Sequence, residues 1–142
     1  MLEENNLTYE EFIKIIETVG WKKTTKRQME IALKNSLTVK YVIDGNTVGM
    51  ARAVTDYGYM SLIADVIVMP EYQGQGIGKL MVTNLLNRIK DSLEPGEESL
   101  VELLAAPGKT AFYEKFGFKV KNIKSPNAIL EYINGLDRSK EK

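Results

Sequence analysis

The sequence predicts a mixed α/β domain in which helices pack on the faces of a sheet. Segments with helical spacing of apolar residues alternate along the chain with segments of alternating, β-branched character. One nearly apolar run also leads into a glycine-rich turn that opens a long amphipathic helix. The 142 residues suit one compact unit, since a domain averages roughly 150 residues. We expect a single domain over residues 1–136 and a short charged tail over 137–142.

Charge and hydropathy narrow the classes of partner that the chain is expected to bind. Lys plus Arg and Asp plus Glu both number 19, so the net charge is zero, whereas nucleic-acid binders usually carry a basic excess. No run approaches the roughly 18 apolar residues of a membrane span, and the acidic start predicts a cytoplasmic protein. We therefore expect neither a nucleic-acid nor a membrane partner.

Cysteine and histidine are both absent from the chain. Their absence excludes disulfides, Ser-His-Asp relays, and metal sites built on Cys or His, so we expect no metal. Any chemistry must use Tyr, Asp, Glu, Lys, backbone amides, bound water or a cofactor.

Two helices are predicted at the start of the chain. Thr8 and Glu11 match a capping box, and apolar residues at helical spacing continue from there to about Val19. Thr25, with Gln28 three residues later, is expected to cap the second helix.

Three strands are predicted next. The segments 37–43 and 48–54 alternate and are rich in β-branched residues, and the turn at 44–46 joins them as a hairpin. The run 59–69 is almost wholly apolar toward its end, which predicts a strand buried on both faces. Pro70 ends that strand.

The second half of the chain alternates between helix and strand again. Apolar residues on one face predict a long helix after the glycines, and a break at Pro-Gly separates it from a further buried strand. The predicted elements are a helix over 77–89, a strand over 100–105, a helix over 109–116, and strands over 118–121 and 128–133.

The turn after the third strand, from Gln73 to Lys79, carries the most chemical information. Such a turn directs several backbone N–H groups at one point, and the helix N-terminus adds partial positive charge, so we expect a phosphate or pyrophosphate to bind there. A Walker A motif would need Ser or Thr where Leu80 stands, and the dinucleotide fingerprint needs G-x-G-x-x-G. Neither matches.

The pattern that does match is Gln-x-x-Gly-x-Gly, formed by Gln73, Gly76 and Gly78. Here the chain resembles the GNAT superfamily, the general-control type N-acetyltransferases that use acetyl-coenzyme A. A second stretch, 111–118, is similar to the family's Phe/Leu-Tyr-x-x-x-Gly-Phe motif. The resemblance implies a mixed, mostly antiparallel sheet with splayed central strands and about four flanking helices, whose first strand only residues 1–6 could supply.

The resemblance also implies an acetyl-CoA site. Backbone amides of the glycine turn would hold the pyrophosphate, and the pantetheine arm would pair with the end of the preceding strand. The Val68 amide would polarise the thioester carbonyl, and Tyr113 would protonate the leaving thiolate. The implied cofactor-binding residues are Ile67, Val68, Gln73, Gly74, Gln75, Gly76, Gly78 and Lys79.

The general base is left open. Asp65 lies inside an apolar run, where a carboxylate needs a partner, so a structural pairing and a role as base are both open. Glu102, on the next predicted strand, has a similar claim. The sequence departs from the family's pattern at two positions: Leu62 stands near the catalytic Glu of some members, and Ala106 replaces an Asn that contacts pantetheine.

The function these residues indicate is direct transfer of an acetyl group from acetyl-CoA to a primary amine. The absence of cysteine favours transfer without an acyl-enzyme, and the neutral charge favours a small-molecule amine. The alternative is a non-catalytic acyl-CoA-binding or regulatory domain. We expect a monomer or homodimer. Trp21, Tyr57 and Tyr59 are expected either to line the acceptor pocket or to join the core.

Overall fold

A computed structural model of the chain describes residues 1–119. It confirms the mixed α/β fold, with four α-helices and five strands in the described part. The elements are β1 (Leu2–Glu4), α1 (Tyr9–Val19), α2 (Lys26–Lys34), β2 (Ser36–Ile43), β3 (Asn46–Thr55), β4 (Met60–Val68), a 3-10 turn (Pro70–Tyr72), α3 (Ile77–Asp91), β5 (Leu100–Leu103) and α4 (Thr110–Glu114). The strand predicted over 128–133 and the tail over 137–142 lie outside the described residues, as does the strand predicted over 118–121 beyond Lys119.

The five strands form one sheet in the order β1-β2-β3-β4-β5. Neighbours from β1 to β4 are antiparallel, while β5 runs parallel to β4, so the sheet is mostly antiparallel as the resemblance implied. The segment 1–6 does supply the first strand, with Leu2 opposite Tyr41. The β2–β3 hairpin turns at Asp44 and Gly45, both with left-handed backbone.

Both predicted helix caps are present. The Thr8 hydroxyl accepts a hydrogen bond from the Glu11 N–H, and the Glu11 carboxylate accepts one from the Thr8 N–H, which completes the capping box. The Thr25 hydroxyl likewise accepts from the Gln28 N–H. These caps satisfy backbone N–H donors that a helix start leaves unpaired. The capping residues in the sequence therefore identify the residue at which each of the two helices begins.

The core has two layers, one on each face of the sheet. Helix α3 packs directly on β3 at Gly49, where a Cβ would lie 3.1 Å from Met81 Cε and 3.3 Å from Ile77 Cγ2. The next residue, Met50, therefore points to the opposite face, where α1 contributes the fully buried Ile15. None of the helices within residues 1–119 combines the length and apolar character needed to cross a membrane.

The prediction that β4 is buried on both faces is wrong. Burial alternates along its first half: Ser61 and Ile63 are buried, whereas Met60 and Leu62 are 45% and 40% exposed. Leu62 lies opposite Val54 on the face of α1 and α2, and those helices do not reach over this corner, since Val54 is exposed too.

The next two elements also differ from their predictions. Strand β5 ends at Leu103 instead of residue 105, and it is not buried, with Leu100 exposed. Helix α4 is shorter than the predicted 109–116, because the last turn closes with tighter bonds from Phe116 N–H to the Tyr113 carbonyl and from Gly117 N–H to the Glu114 carbonyl.

A buried ion pair joins α1 to the sheet. Lys40 Nζ lies 2.9 Å from the Glu11 carboxylate and 3.2 Å from the Asn6 carbonyl, and Thr47 Oγ1 also donates to Glu11. Burial raises the pKa of Glu11, but hydrogen bonds from Thr47, Lys40 and Thr8 outweigh it and lower the pKa from 4.5 to about 2. The charged carboxylate therefore stabilises the folded state.

We expect Glu11→Gln to destabilise the protein in a pH-dependent way. Because the folded pKa lies below the unfolded value, the contribution is fully present above about pH 4.5 and is lost as the pH falls toward 2. The loss should be roughly 1–2 kcal/mol at pH 7, because Gln loses the charge but keeps an oxygen that accepts hydrogen bonds, and it should be clearly smaller at pH 3, as measured by urea unfolding. Glu10→Gln, at the exposed neighbouring position, is the control and should change little. An equal loss at both pH values would contradict the assignment.

Candidate active site

A β-bulge interrupts β4 just before the glycine turn. Met50 lies opposite Ile67 and Arg52 lies opposite Ala64, so Ala51 faces two residues on β4. The first of those two is Asp65, whose φ of +54° is left-handed. Such a bulge bends the strand and increases its twist, so the direction of β4 changes at this point.

Beyond the bulge, β4 separates from β5. The last pair between them is Ile63 with Leu103, while β4 continues to Val68. No other strand of the described residues pairs with this edge. The structure therefore contains the splayed strands that the resemblance implied.

The backbone N–H and carbonyl of Val68 both point into the gap between the separated strands. The Met69 N–H donates to the Val48 carbonyl on β3 at 2.8 Å, and successive peptide groups alternate between the two sides of a strand. Val68 therefore directs its N–H and carbonyl away from β3, whereas the N–H of the buried Ile67 points back toward it. The Val68 carbonyl accepts a hydrogen bond from the Gln73 side-chain amide at 2.9 Å.

The glycine turn leads into a helix start that no side chain caps. Gly76 is the N-cap residue of α3 and makes no side-chain cap bond, and the first intrahelical bond runs from the Leu80 N–H to the Gly76 carbonyl. The N–H groups of residues 77–79 therefore have no partner within the helix. The first turn contains no acidic residue, and its Lys79 is exposed. The arrangement suits an anion.

The turn is also open on its outer side. Gly74 and Gly76 have φ of +81° and +82°, and a Cβ on either would meet nothing within 4 Å. Gln75 between them is exposed. This open space in front of backbone amides fits a phosphate group, so the residues present fit the pyrophosphate of coenzyme A on geometry and on charge.

Helix α4 brings the second motif to the same place. A Cβ on Gly78 would lie 3.5 Å from Phe112 Cζ and 3.9 Å from Val68 Cγ2. The end of β4, the start of α3 and the ring of Phe112 therefore lie together, beside the gap between β4 and β5 that we refer to as a groove. We call it the β4–α3–α4 groove, and it unites residues from both sequence motifs.

Tyr113 lies beside Phe112 in an aromatic cluster. Its ring makes edge-to-face contacts with Phe112 at 4.9 Å and with Phe118 at 6.2 Å between centroids. Burial raises the pKa of Tyr113 above its ordinary value of 10. The phenol is protonated at neutral pH, as an ordinary tyrosine also is, so it has a proton to donate, and burial makes it a weaker acid than an exposed tyrosine.

The two candidate bases lie in different surroundings. The Asp65 carboxylate accepts a hydrogen bond from Arg52 Nε, so the structure contains the structural pairing that was one of its two alternatives. Glu102 is half-buried on β5 and lies opposite Leu62, well before the Val68 end of β4. The sequence reasoning missed Arg52, although a charged residue in the apolar stretch 48–54 was a signal that something had to pair with it.

The three aromatic residues considered for the acceptor pocket are not in the core. Trp21, Tyr57 and Tyr59 are 42%, 65% and 58% exposed. Tyr57 and Tyr59 line a cavity of about 110 Å³ near the C-terminal end of α3, at the opposite end of that helix from the glycine turn.

Among residues 1–119, no group of three or more His, Cys, Asp or Glu is placed to hold a metal ion.

Residues 3–133 match the family model described as an acetyltransferase (GNAT) domain. The chain is 35% identical over 129 residues to the uncharacterized N-acetyltransferase ycf52 of Pyropia yezoensis, which covers 87% of this chain and 70% of that protein. It is 32% identical over 117 residues to histone acetyltransferase TAP1 of Glycine max, covering 74% of this chain and 49% of that one. A probable acetyltransferase from Staphylococcus aureus has a similar crystal structure, with a TM-score of 0.80, 27% identity, and coverage of 93% and 100%.

Proposed function

We propose that this chain, which belongs to the GNAT family of acetyltransferases, transfers an acetyl group from acetyl-CoA directly to a primary amine of a small molecule. One observation carries the proposal. The uncapped start of α3 meets, in the β4–α3–α4 groove, the Val68 end of β4, whose outer side pairs with no other strand of the described residues. An anion site beside an unpaired strand edge suits a ligand with a pyrophosphate and an extended amide-containing arm.

The turn would hold the pyrophosphate through its backbone. The proposed donors are the backbone amides from Gln73 to Lys79, including those of Gly74, Gln75, Gly76 and Gly78, and the space outside Gly74 and Gly76 is open. The Gln73 N–H already donates to the Pro70 carbonyl. The exposed Lys79 adds a positive charge in the first turn of α3. The amide-containing arm would then lie along β4 at Ile67 and Val68, as an added strand does at a sheet edge.

Acetyl-CoA supplies an acyl carbon that is activated as a thioester. The Val68 N–H would donate to the carbonyl oxygen, where negative charge develops as the amine attacks. A bond forms between the amine nitrogen and the acyl carbon, and the carbon–sulfur bond breaks. Tyr113, whose phenol is protonated at neutral pH, would give its proton to the departing sulfur.

The amine must lose a proton, because free amines have pKa values near 10. Asp65 and Glu102 are the carboxylates proposed from the sequence for this role, and a water chain is the third route. Asp65 already accepts a hydrogen bond from Arg52, which weakens its claim.

The proposed acceptor is a small-molecule amine, supported by a net charge of zero that gives no attraction to a nucleic acid. A lysine of a protein is the second candidate, because the TAP1 relative is named a histone acetyltransferase. A monomeric or homodimeric, cytoplasmic enzyme is part of the same proposal.

The decisive experiment measures release of the CoA thiol from acetyl-CoA against a panel of amines. Small metabolite amines, polyamines, amino sugars and lysine-containing peptides would each be tested. We expect release above the blank with a small amine. Release with the peptides alone would favour the protein acceptor. Acetyl-CoA binding without release from any amine would favour the non-catalytic alternative.

We expect Gly76→Val to abolish acetyl-CoA binding while the protein stays folded. A β-branched residue at a φ of +82° is strained, and its side chain would enter the open space outside the turn. Gly96→Val is the matched control, since Gly96 has a φ of +89° and nothing within 4 Å of its Cβ position, but lies in the loop after α3. Calorimetry should show lost binding in the first variant only. Equal affinity in both would contradict the site.

We expect Tyr113→Phe to lower turnover by roughly 10²-fold or more, the scale of a general acid's contribution. The affinity for acetyl-CoA should change little, because the phenyl ring keeps the contacts with Phe112 and Phe118. Tyr41→Phe, at another half-buried tyrosine on β2, is the control. Turnover within threefold of wild type would make Tyr113 a packing residue.

A further inference from the structure

A polar cluster lies directly beside the bulge in β4. Arg52 Nε donates to the Asp65 carboxylate, and Arg52 Nη1 donates to Ser36 Oγ at 3.1 Å. Ser36 Oγ in turn donates to the Ala32 carbonyl near the end of α2, at 2.7 Å. The side chains of Arg52 and Asp65 are only 16% and 20% exposed. The cluster therefore links three neighbouring strands and a helix through one guanidinium group.

The cluster bonds to the residue whose backbone makes the bulge. The left-handed φ of Asp65 is unfavourable for most residues, although Asp and Asn tolerate it better than others. Arg52 lies opposite Ala64, one residue before the bulge. Its guanidinium therefore binds the Asp65 side chain from the adjacent strand. A change in the backbone conformation of residue 65 would move the carboxylate away from the guanidinium and weaken the ion pair.

We propose that Arg52 and Asp65 are positioning residues that hold the bulge and thereby orient the Val68 N–H. Only Val66 and Ile67 separate Asp65 from Val68, so a rotation of the backbone at residue 65 re-aims the peptide group at the groove. The inference rests on the proposed function, because that proposal gives the Val68 N–H its role toward the thioester carbonyl.

Substitutions at residue 65 separate positioning from proton transfer. Asn tolerates the left-handed backbone and keeps an oxygen that accepts from Arg52, but it cannot act as a base. Ala loses both the tolerance and the acceptor. A positioning role therefore predicts that Asp65→Asn keeps the orientation of the Val68 N–H and Asp65→Ala does not, whereas a base role predicts an equal loss of turnover in both.

The readout is the infrared stretch of acetyl-CoA labelled with ¹³C at its thioester carbonyl. A hydrogen bond from the Val68 N–H lowers this frequency on binding. We expect wild type and Asp65→Asn to give the same lowered frequency, and Asp65→Ala and Arg52→Met to lose about half of the shift or more. Turnover, measured with the most active amine of the panel, should fall at least about tenfold in Asp65→Ala and Arg52→Met, and by clearly less in Asp65→Asn.

Arg88→Met is the matched control for loss of a partly buried arginine. Arg88 is also 16% exposed and makes hydrogen bonds to Thr38 and Asn84, but it lies on α3 away from the bulge. It should lower the unfolding temperature without changing the carbonyl frequency. If Asp65→Ala does not fold, Asp65→Gly takes its place, since Gly adopts the backbone without strain yet cannot bond to Arg52.

Two results would overturn the inference alone. One is an unchanged carbonyl frequency in Arg52→Met and in the folded Asp65→Ala or Asp65→Gly variant. The other is a loss of turnover in Asp65→Asn equal to that in Asp65→Ala, which would make Asp65 the base. Failure of wild type to bind acetyl-CoA is a separate result, and it would overturn the proposed function together with the inference.

Discussion

The extra residue in β4 is the constraint on which the groove depends. A regular β4 would continue to pair with β5, and its last peptide groups would be used within the sheet. The bulge at Asp65 follows directly after the last β4–β5 pair, and beyond it the edge of β4 presents backbone groups to a gap. Unpaired backbone groups on a strand edge are a template for another extended chain. The fold therefore presents a surface suited to an extended, amide-containing chain at the gap between β4 and β5.

The donors that the proposed function uses in the groove are mostly backbone N–H groups, which a chain without histidine and cysteine can still supply. The Val68 N–H and the uncapped N–H groups of α3 are donors whose presence requires no particular side chain. Side chains act mainly by leaving space, as at Gly76, or by holding the backbone, as the Gln73 amide does at the Val68 carbonyl. Tyr113 is the main exception in the proposed function, because the proton that it would donate belongs to its own side chain.

Local features were predictable from the sequence, and features that join distant segments were not. Caps such as Thr8 with Glu11 and the turn at Gly76 depend on residues within one helical turn of each other, so their spacing identified them. The burial of β4 was mispredicted because the apolar content of a strand does not reveal how far the helices reach over Leu62. The Arg52–Asp65 pair depends on strand register, which composition does not encode. Asp65 was recognised as needing a partner, but the partner lay on another strand.

The division of the site between backbone groups and side chains also bears on the choice of acceptor. The β4–α3–α4 groove would contact the donor through backbone groups, so relatives with different acceptors can share it without change. For the proposed acceptor, discrimination between amines would then come from side chains. Among the described residues, one candidate surface is the face of α1 and α2, where Leu62 and Val54 are exposed and the Arg52–Asp65 pair lies. On this chain that face combines apolar side chains with a charge pair that is already neutralised. An amine bound on this face would therefore be held by packing contacts more than by electrostatic attraction. Such binding would suit the proposed small acceptor, selected by its shape.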